Sequence, residues 1–304
     1  MKHVGPARRA ADAVVEALTR VALFALRSLA RLPYPVVRRA GELAGEIAWR
    51  LAGSRRRVTR VNLRLCFPDW SEARREALGR AHFRCFVRSF FERFIFWYEP
   101  AERLRALVEV RGVEHFDAHA GRPMVLLAPH FVGLDAGGMR FQLDHAAASM
   151  YANQKSRALN RAMTQGRERF GRARMFLRND GLRPAIRLIR QGVPFYFLPD
   201  MDLGPRDAVF VPFFGVPAAT VTSVARIVQL TGAVVVPFVT RMTDDGYVVQ
   251  LYPAWDDFPG GDVEAATRRM NAFIEARVLE MPEQYLWSHK RFKTRPPGEP
   301  SPYR

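Results

Sequence analysis

The hydrophobic pattern of the chain changes near residue 107, and this change constrains the fold more than any other feature. Before it, apolar residues recur at helical spacing, with breaks at Pro33–Pro35, Gly53–Ser54 and Phe67–Asp69. After it, short runs rich in β-branched and aromatic residues alternate with helical stretches. The alternation predicts an α/β fold, a sheet covered by helices, preceded by an N-terminal helical layer.

The predicted elements after residue 107 can be placed from their boundaries. The predicted strands are Val108–Arg111, Met124–Ala128, Ala148–Tyr151, Pro194–Leu198, Val209–Phe213, Ala233–Thr240 and Tyr247–Tyr252. Helices are expected near residues 131–143, 156–170, 180–191, 219–231 and 262–280. The basic, proline-rich segment from Trp287 onward is expected to wrap the surface. Without an internal repeat or linker, we expect one globular unit, with residues 1–52 as the membrane-associating helices and residues 53–304 as the main domain.

The first thirty residues predict an amphipathic helix rather than a signal peptide or a membrane span. Charged residues interrupt every apolar run that would be long enough for either. One helical face carries Arg20, Arg27 and Arg31, and the other side carries Leu18, Val21, Leu29 and Leu32. Two interpretations stay open: the helix lies in a membrane interface, or it packs on the protein's own core.

Aromatic residues form a second stripe, on a long helix that Ser71 is expected to cap. The stripe consists of Phe83, Phe86, Val87, Phe90, Phe91, Phe94 and Ile95 and ends at Trp97 and Tyr98. Burial in the core is the simpler interpretation, and contact with lipid is the alternative. Cys66 and Cys85 have neither the spacing of a zinc site nor that of a disulfide framework, so both are predicted to be core residues.

Charge narrows the range of partners. Forty-seven basic and thirty acidic residues give a net charge of +17, which favours an anionic membrane surface, a phosphorylated ligand or nucleic acid. The basic residues are spread from end to end and form no recognisable nucleic-acid-binding motif. A nucleic-acid partner is therefore not expected.

His130 and Asp135 form the first candidate catalytic pair. His130 follows the apolar run Met124–Ala128 and Pro129, which places it where a strand leaves the sheet, and ligands bind there in open α/β sheets. If His130 lies in the turn and Asp135 in the first helical turn, the carboxylate can orient the imidazole for general-base catalysis. The five-residue spacing alone is weak, because it also arises by chance.

Other candidate residues come from an arginine-rich stretch and from the end of a later strand. Arg157, Arg161, Arg167 and Arg169 could bind anions or could form a solvated helix face. Asp200 and Asp202 could bind a metal, orient an arginine or cap a turn, and no third hard ligand favours the metal. Ser288 and His289 are adjacent and point apart, so a nucleophilic serine is not expected.

Several of these segments together resemble the late acyltransferases of bacterial lipid A biosynthesis, the lauroyl and myristoyl transferases. The resemblance runs in order from about residue 40 to 297. Its segments are Arg60–Asn62, Cys66–Pro68, His130–Asp135, Asp200–Gly204, Phe210–Gly215 with Ala219 and Thr220, Gly232–Pro237, and Gln284–Arg295.

The resemblance implies a membrane-associated enzyme with a glycerolipid-acyltransferase-like fold, in which residues 53–304 are the acyltransferase domain. Such enzymes transfer a fatty acyl chain from acyl carrier protein to a hydroxyl of a Kdo-bearing lipid A precursor, without a cofactor or metal, at the cytoplasmic face of a Gram-negative inner membrane. The resemblance makes His130 the base and Asp135 its supporting acid, although several relatives carry glutamate at the second position. One arginine of Arg167 and Arg169 and one aspartate of Asp200 and Asp202 complete the expected set.

At the N-terminus the chain departs from relatives with a membrane-spanning helix, because arginines stand where such a helix would be apolar. Monotopic attachment to the anionic inner-membrane surface is therefore expected. Three alternatives stay open: the same fold acting on another glycolipid, a lysophospholipid or an aminolipid; a nucleic-acid-binding protein; and a non-catalytic membrane scaffold.

Overall fold

The computed structural model describes residues 6–154 and 156–303, with side chains from residue 12 onward. The α-helices of this part of the chain are α1 (Pro6–Leu29), α2 (Tyr34–Leu51), α3 (Gly53–Cys66), α4 (Glu72–Tyr98), α5 (Ala101–Leu107), α6 (Glu114–Asp117), α7 (Leu134–Phe141), α8 (Arg157–Glu168), α9 (Arg183–Arg190), α10 (Ser223–Thr231) and α11 (Val263–Glu280). The strands are β1 (Val108–Arg111), β2 (Met124–Leu127), β3 (Ala147–Tyr151), β4 (Ala173–Leu177), β5 (Phe195–Phe197), β6 (Ala208–Phe213), β7 (Val216–Val221), β8 (Val234–Met242) and β9 (Tyr247–Leu251).

Seven strands form a mixed sheet in the order β1-β9-β8-β2-β5-β3-β4. β8 and β9 pair antiparallel, and all other neighbours in this sheet pair parallel. β6 and β7 form a separate antiparallel hairpin. The predicted α/β class with a mixed sheet covered by helices is confirmed.

Each face of the sheet is covered by its own hydrophobic core, and β2 contributes to both. Met124 and Leu126 pack with residues of α4, α7 and α8, whereas Val125 and Leu127 pack with residues of α3, α9, α10 and α11. All four side chains are buried, as expected for a central strand that helices cover on both faces. The loop that follows β2 is thereby fixed at the middle of the sheet.

The N-terminal helices join the main body through close packing of α2 against α4. A Cβ added at Gly41 or Gly45 would lie 2.6 Å from the Cα of Arg88 or Arg84, respectively. α4 begins where Ser71 accepts a hydrogen bond from the amide of Arg74 at 3.2 Å, so the predicted cap is confirmed. Much of the predicted aromatic stripe on α4 is buried, although Phe86 is partly exposed.

Two strands were missed by the sequence analysis. β4 is absent from the prediction, and β7 occupies residues where only a turn and a helix start were expected. The hairpin of β6 and β7 turns at Phe214 and Gly215, both with positive φ, as a two-residue hairpin connection requires.

The C-terminal segment does not simply wrap the surface, and that prediction is wrong for its core residues. Trp287 and Phe292 are fully buried, and Arg291 is nearly so. The Arg291 guanidinium donates to the carbonyl of Ala219 and the hydroxyl of Thr220. Cys66 is buried as predicted, whereas Cys85 is half-buried.

α1 packs Leu23, Leu26 and Leu29 against the body and exposes other apolar side chains on its outer side. Arg27 stacks on the ring of Tyr98 at 4.7 Å, and the Glu16 carboxylate accepts from the amide of Ala158 at 2.7 Å. The exposed apolar surface, which we call the apolar stripe, comprises Val14, Val15, Leu18, Val21 and Phe24 of α1, Leu32, and Val36, Leu43, Ile47 and Leu51 of α2. No helix in the described ranges is long and apolar enough to cross a membrane.

Candidate active site

His130 lies just past the carboxyl end of β2, between the sheet and α7. The loop is held by main-chain hydrogen bonds to the C-terminal segment: the His130 carbonyl accepts from the amide of Leu286 at 3.1 Å, and the Gln284 carbonyl accepts from the amide of Val132 at 2.9 Å. The imidazole is mostly buried, with 15% of its side chain exposed. His130 is therefore fixed at the strand exit that the sequence predicts.

The imidazole is paired with Asp200, not with Asp135. Nδ1 of His130 lies 2.7 Å from Oδ1 of Asp200, and the His130 amide donates to the same carboxylate at 3.0 Å. Because the carboxylate only accepts, Nδ1 carries a proton, and in the neutral imidazole Nε2 is then the unprotonated nitrogen. The predicted contact between His130 and Asp135 is thus wrong: the partner comes from the loop after β5, seventy residues along the chain.

Asp200 remains ionised although it is buried. Burial alone would raise the pKa of its carboxyl group, but the nearby His130 and the two hydrogen bonds from its ring and amide outweigh burial and lower it. An ionised carboxylate at Nδ1 favours the imidazolium that forms when Nε2 takes up a proton. The pair has the geometry of a general base and its orienting acid.

Asp135 instead holds two arginines. Arg167 Nε donates to Oδ1 at 2.8 Å, and its Nη2 lies 2.7 Å from the same oxygen. Arg93 Nε lies 2.6 Å from Oδ2 but makes no hydrogen bond to it. Burial works to raise the pKa of Asp135, but the two guanidinium charges outweigh it and lower the pKa. The site thus presents a net positive charge beside His130.

The four predicted anion-binding arginines separate into three environments. Arg167 lines the cavity that contains His130. Arg169 donates to the carbonyls of Phe96 and Glu99, where it satisfies the C-terminal end of α4. Arg157 and Arg161 are exposed and line a different cleft of about 560 Å³ between α1 and α8. Of the pair Arg167 and Arg169, Arg167 is the residue that faces the cavity.

Asp202 anchors the C-terminal segment rather than a ligand. Its carboxylate accepts from the amide of Gly204 at 3.0 Å and from the amide and hydroxyl of Thr294 at 2.6 and 2.8 Å. Its own amide donates to Nε2 of His289 at 3.2 Å. Of the two aspartates, Asp200 faces the imidazole, and Asp202 caps a turn as one of the three sequence alternatives predicts.

The cavity that contains His130 has a volume of about 800 Å³ and a largely apolar wall. It is bounded by residues of α4, α7, α8, β3 and β5. Among the described residues, no group of three or more histidine, cysteine, aspartate or glutamate side chains is placed to hold a metal ion. A histidine base beside an apolar cavity of this size suits transfer of a fatty acyl chain.

Arg93 is the residue of this site that the sequence analysis missed. It lies within the aromatic stripe of α4, between Glu92 and Phe94, where an arginine at helical spacing gives no sign of facing a catalytic cavity. The only available signal was a cation inside an otherwise apolar pattern.

Comparison with known proteins gives consistent results. The model of the family described as bacterial lipid A biosynthesis acyltransferase matches residues 7–294. The lipid A biosynthesis lauroyltransferase of Escherichia coli K12 is 35% identical over 291 residues, covering 94% of both chains. The lipid A biosynthesis myristoyltransferase of the same organism is 34% identical over 275 residues, covering 89% of this chain and 84% of the relative.

A solved structure, the 1-acyl-sn-glycerophosphate acyltransferase of Thermotoga maritima, superimposes with a TM-score of 0.40 at 15% identity. The superposition covers 79% of this chain and 97% of that one.

Proposed function

The chain belongs to the bacterial lipid A biosynthesis acyltransferases, and from this premise we propose that it transfers a fatty acyl chain from acyl carrier protein to a hydroxyl of a Kdo-bearing lipid A precursor. The observation that carries the proposal is the pairing of His130 with Asp200 at the edge of an apolar cavity. The acyl chain occupies that cavity, and the thioester carbonyl lies beside Nε2.

The proposed reaction is a direct transfer. Nε2 of His130 takes the proton from the acceptor hydroxyl while the hydroxyl oxygen attacks the thioester carbonyl carbon. The carbon–sulfur bond then breaks, and the departing sulfur receives the proton from the imidazolium. The products are an ester and the free thiol of the carrier protein, and His130 returns to its starting protonation state without a covalent acyl-enzyme.

Asp200 acts on the imidazole in this mechanism. It holds the Nδ1–H tautomer, so that Nε2 faces the hydroxyl, and it stabilises the imidazolium by charge. General-base assistance contributes about two to four orders of magnitude in rate.

Arg167 is the donor that we assign to the developing oxyanion. The amides of Phe131, Val132 and Leu134 already donate to carbonyl oxygens of Pro129, Gln284 and Phe131. Arg167 lines the cavity, and its Nε and Nη2 bind Asp135 while Nη1 has no partner among the described residues. A fixed guanidinium in a site that excludes water stabilises a developing negative charge strongly. Asp135 and Arg93 act by positioning Arg167.

Attachment to the membrane is assigned to the apolar stripe. Val21 and Phe24 of α1 expose 67% and 74% of their surface, and Leu43 and Leu51 of α2 expose 66% and 79%. A helix that exposes such an apolar side next to the exposed arginines Arg20, Arg27 and Arg31 suits a lipid interface better than solvent. The net charge of +17 favours an anionic leaflet and an acidic carrier protein. We therefore place the enzyme at the cytoplasmic face of the inner membrane, attached without spanning it.

Arg157 and Arg161 are assigned to headgroup anions at this interface. Their cleft also contains Arg20 and the single carboxylate of Glu16 from α1, so its arginines outnumber its acidic residues. Because the cleft borders α1, it lies where phosphate and sugar-acid groups of a lipid at the membrane surface can reach it.

The proposal is tested by measuring acyl transfer from acyl carrier protein thioesters to a Kdo-bearing tetra-acylated lipid A precursor, with wild type and His130→Ala in parallel. Wild type should transfer, and His130→Ala should bind the substrates but lose most of its turnover. Equal turnover by both proteins would reject His130 as the base. Transfer to a lysophospholipid or another glycolipid, but not to the lipid A precursor, would keep the chemistry and reject the acceptor.

Attachment is tested separately. The protein should leave membranes in high salt or carbonate without detergent. An N-terminal tag accessible only from the periplasm would rule out attachment at the cytoplasmic face.

A further inference from the structure

The cavity beside His130 extends as an arm between α7 and β3, from Leu134 and Tyr151 at the carboxyl edge of the sheet toward Gln142 and Ala147 near the opposite edge. We propose that this arm measures the acyl chain of the donor, that it accepts about ten to twelve carbons, and that Gly138 and Gln142 set this length. The proposal rests on the proposed function, because it assigns the donor chain to the cavity of the same site.

Two elements line the arm at three successive levels. α7 contributes Leu134, Gly138 and Gln142, which are four residues apart and so share one helical face. β3 contributes Tyr151, Ser149 and Ala147, which are two residues apart and share one face of the strand. Because α7 runs from the carboxyl edge back to the start of β3, Leu134 lies near the level of Tyr151, and Gln142 near that of Ala147.

Tyr196 of β5 connects α7 and β3 by hydrogen bonds at the middle level of the arm. Its hydroxyl donates to the Leu134 carbonyl at 3.1 Å, and its carbonyl accepts from the Ser149 hydroxyl at 3.0 Å. Its ring lies 3.8 Å from the position that a Cβ of Gly138 would occupy. The hydroxyls of Tyr196 and Ser149 thus both donate to main-chain carbonyls of the wall, and neither donor competes with an alkyl chain there.

Both elements give the same length for the arm. Eight helical steps from Leu134 to Gln142 span about 12 Å at 1.5 Å per residue, and four strand steps from Ala147 to Tyr151 span about 13 Å. An extended chain of tetrahedral carbons advances about 1.25 Å per carbon, given bonds of about 1.5 Å. The arm therefore holds about ten carbons, and the carbonyl carbon and its neighbour lie beside His130 at the mouth.

The donor chain is assigned to the arm because Arg178 and Arg206 lie in the open part of the cavity, where the carrier-protein side of the thioester has to leave. The thioester carbonyl has to reach His130, and the chain on one side of that carbonyl can enter the arm. The carrier-protein side of the thioester has to leave toward solvent, and the open part of the cavity carries Arg178 and Arg206. Both arginines suit the acidic surface and phosphate of a carrier protein.

Gly138 keeps the middle of the arm open. It lies in a regular helix without a positive φ, and an added Cβ would make only ordinary contacts, 3.8 Å from Tyr196. Its neighbour Gly137 faces the sheet, where a Cβ would lie 2.0 Å from Oγ1 of Thr240. A larger side chain at Gly138 can therefore enter the arm without disturbing the sheet, whereas Gly137 cannot be enlarged.

Gln142 closes the far end. It is nine-tenths buried, and its Oε1 has no hydrogen-bond partner among the described residues. An unpartnered buried amide oxygen disfavours contact with further methylenes. Gln142 thus limits the chain both by its volume and by its polarity.

The test measures kcat/KM for acyl carrier protein thioesters of eight to sixteen carbons with wild type, Gly138→Leu and Gln142→Ala. Wild type should prefer ten to twelve carbons. Gly138→Leu should move the optimum to eight or fewer and lower kcat/KM for twelve carbons about 100-fold, since each buried methylene contributes about fourfold. Gln142→Ala should move the optimum in the opposite direction, by about two carbons. Simple loss of folding cannot shift the optimum in two directions.

Two controls complete the design. Gln142→Leu keeps the volume of the side chain but removes its polarity, so it should move the preferred length less than Gln142→Ala does. Leu203→Ala enlarges the open mouth, where Leu203 is 49% exposed, and should leave the preferred length unchanged. A shift in either control of the size seen with Gln142→Ala would overturn the assignment of the far end.

Binding of free fatty acids of the same lengths, measured by calorimetry, separates the two proposals because it needs neither carrier protein nor acceptor. If wild type transfers no acyl group but the fatty acid affinities of the three proteins follow the predicted order, the proposed function fails and the measuring arm stands. If transfer occurs and neither Gly138→Leu nor Gln142→Ala changes the preferred donor length, the arm is rejected. A changed preference for acceptor chain length alone would also reject it.

Discussion

Asp200 and Asp135 are both buried carboxylates that line the same site, yet their surroundings differ. Asp200 faces one imidazole and one amide, whereas Asp135 lies between two guanidinium groups. In both, attraction outweighs burial and lowers the pKa of the carboxyl group. The difference lies in what each anion holds: one orients the group that accepts a proton, and the other neutralises part of a positive cluster. We therefore expect loss of Asp200 to affect turnover and loss of Asp135 to affect stability.

The largest effect should come from Asp200→Asn. The amide group can donate to Nδ1, which moves the proton to Nε2 and removes the base, so kcat should fall by about two to four orders of magnitude. The melting temperature should change less than in Asp135→Asn, because the Asp200 carboxylate holds one ring and one amide rather than two guanidinium groups. Steady-state kinetics and thermal unfolding measure the two quantities. Near-normal turnover of a folded Asp200→Asn protein would show that the pairing seen here does not act in catalysis.

Asp135→Asn should lower the stability of the protein more than it lowers turnover. It leaves the guanidinium groups of Arg93 and Arg167 close together without their shared anion, and breaking a buried ion pair in this way costs about 3–5 kcal/mol. Denaturant unfolding should report this loss. Turnover of the folded fraction should fall less than in Asp200→Asn, because Arg167 loses the carboxylate that positions it while His130 keeps its partner. A fully stable Asp135→Asn protein whose turnover falls as far as that of Asp200→Asn would restore the sequence-based pairing of His130 with Asp135.

The pH dependence of stability sharpens the comparison, because neither carboxylate should contribute to acid sensitivity near neutral pH. Because the pKa values of both carboxyl groups are lowered in the folded state, the stability that each contributes is lost only as the pH falls through those acidic values.

His82 should instead cause acid sensitivity near neutral pH, because burial lowers its pKa to about 4. Between this value and about 6.5 the unfolded state binds the extra proton, so stability falls as pH falls, by about 2 kcal/mol from pH 7 to 5. His82→Gln should remove this part of the slope in unfolding measured at the two pH values.

The smallest effect should come from Asp202→Asn. This change removes charge from an acceptor of three hydrogen bonds that hold Gly204 and Thr294, and a loss of about 1–2 kcal/mol of stability is expected. Turnover should fall less than tenfold, because Asp202 does not contact His130. Asp202→Asn is therefore the matched control for the catalytic role of Asp200, and steady-state kinetics of the two variants should be measured in parallel.

Local patterns predicted most of the fold, and the failures have local causes. The predicted strands at 108–111, 124–128 and 194–198 were found within one residue because each is a short apolar run bounded by turn residues. β4 was missed because Arg174 interrupts it at the edge of the sheet, and β7 because Pro217 and two alanines lower its strand propensity. Its pairing with β6 in a tight hairpin outweighs that preference.

The candidate site was predicted in part. The position of His130 follows from the strand before it, because the carboxyl end of a central strand is fixed by local sequence. Its partner does not, since only the pairing of β2 with β5 brings Asp200 beside it. The sequence analysis paired Asp135 with His130 because the two are close in sequence, but in the structure Asp135 is paired with Arg167 of α8 and Arg93 of α4. The burial of Trp287 and Arg291 was likewise invisible in a basic, proline-rich segment.

The capping of α8 by Glu16 has a geometrical consequence for catalysis at a membrane. Glu16 of α1 binds the first turn of α8, and Arg167 lies near the other end of the same helix. Nine residues separate Ala158 from Arg167, which is about 14 Å of rigid helix. In the proposed attachment α1 lies at the level of the lipid headgroups, and the length of α8 then sets the height of the proposed reaction site above the bilayer.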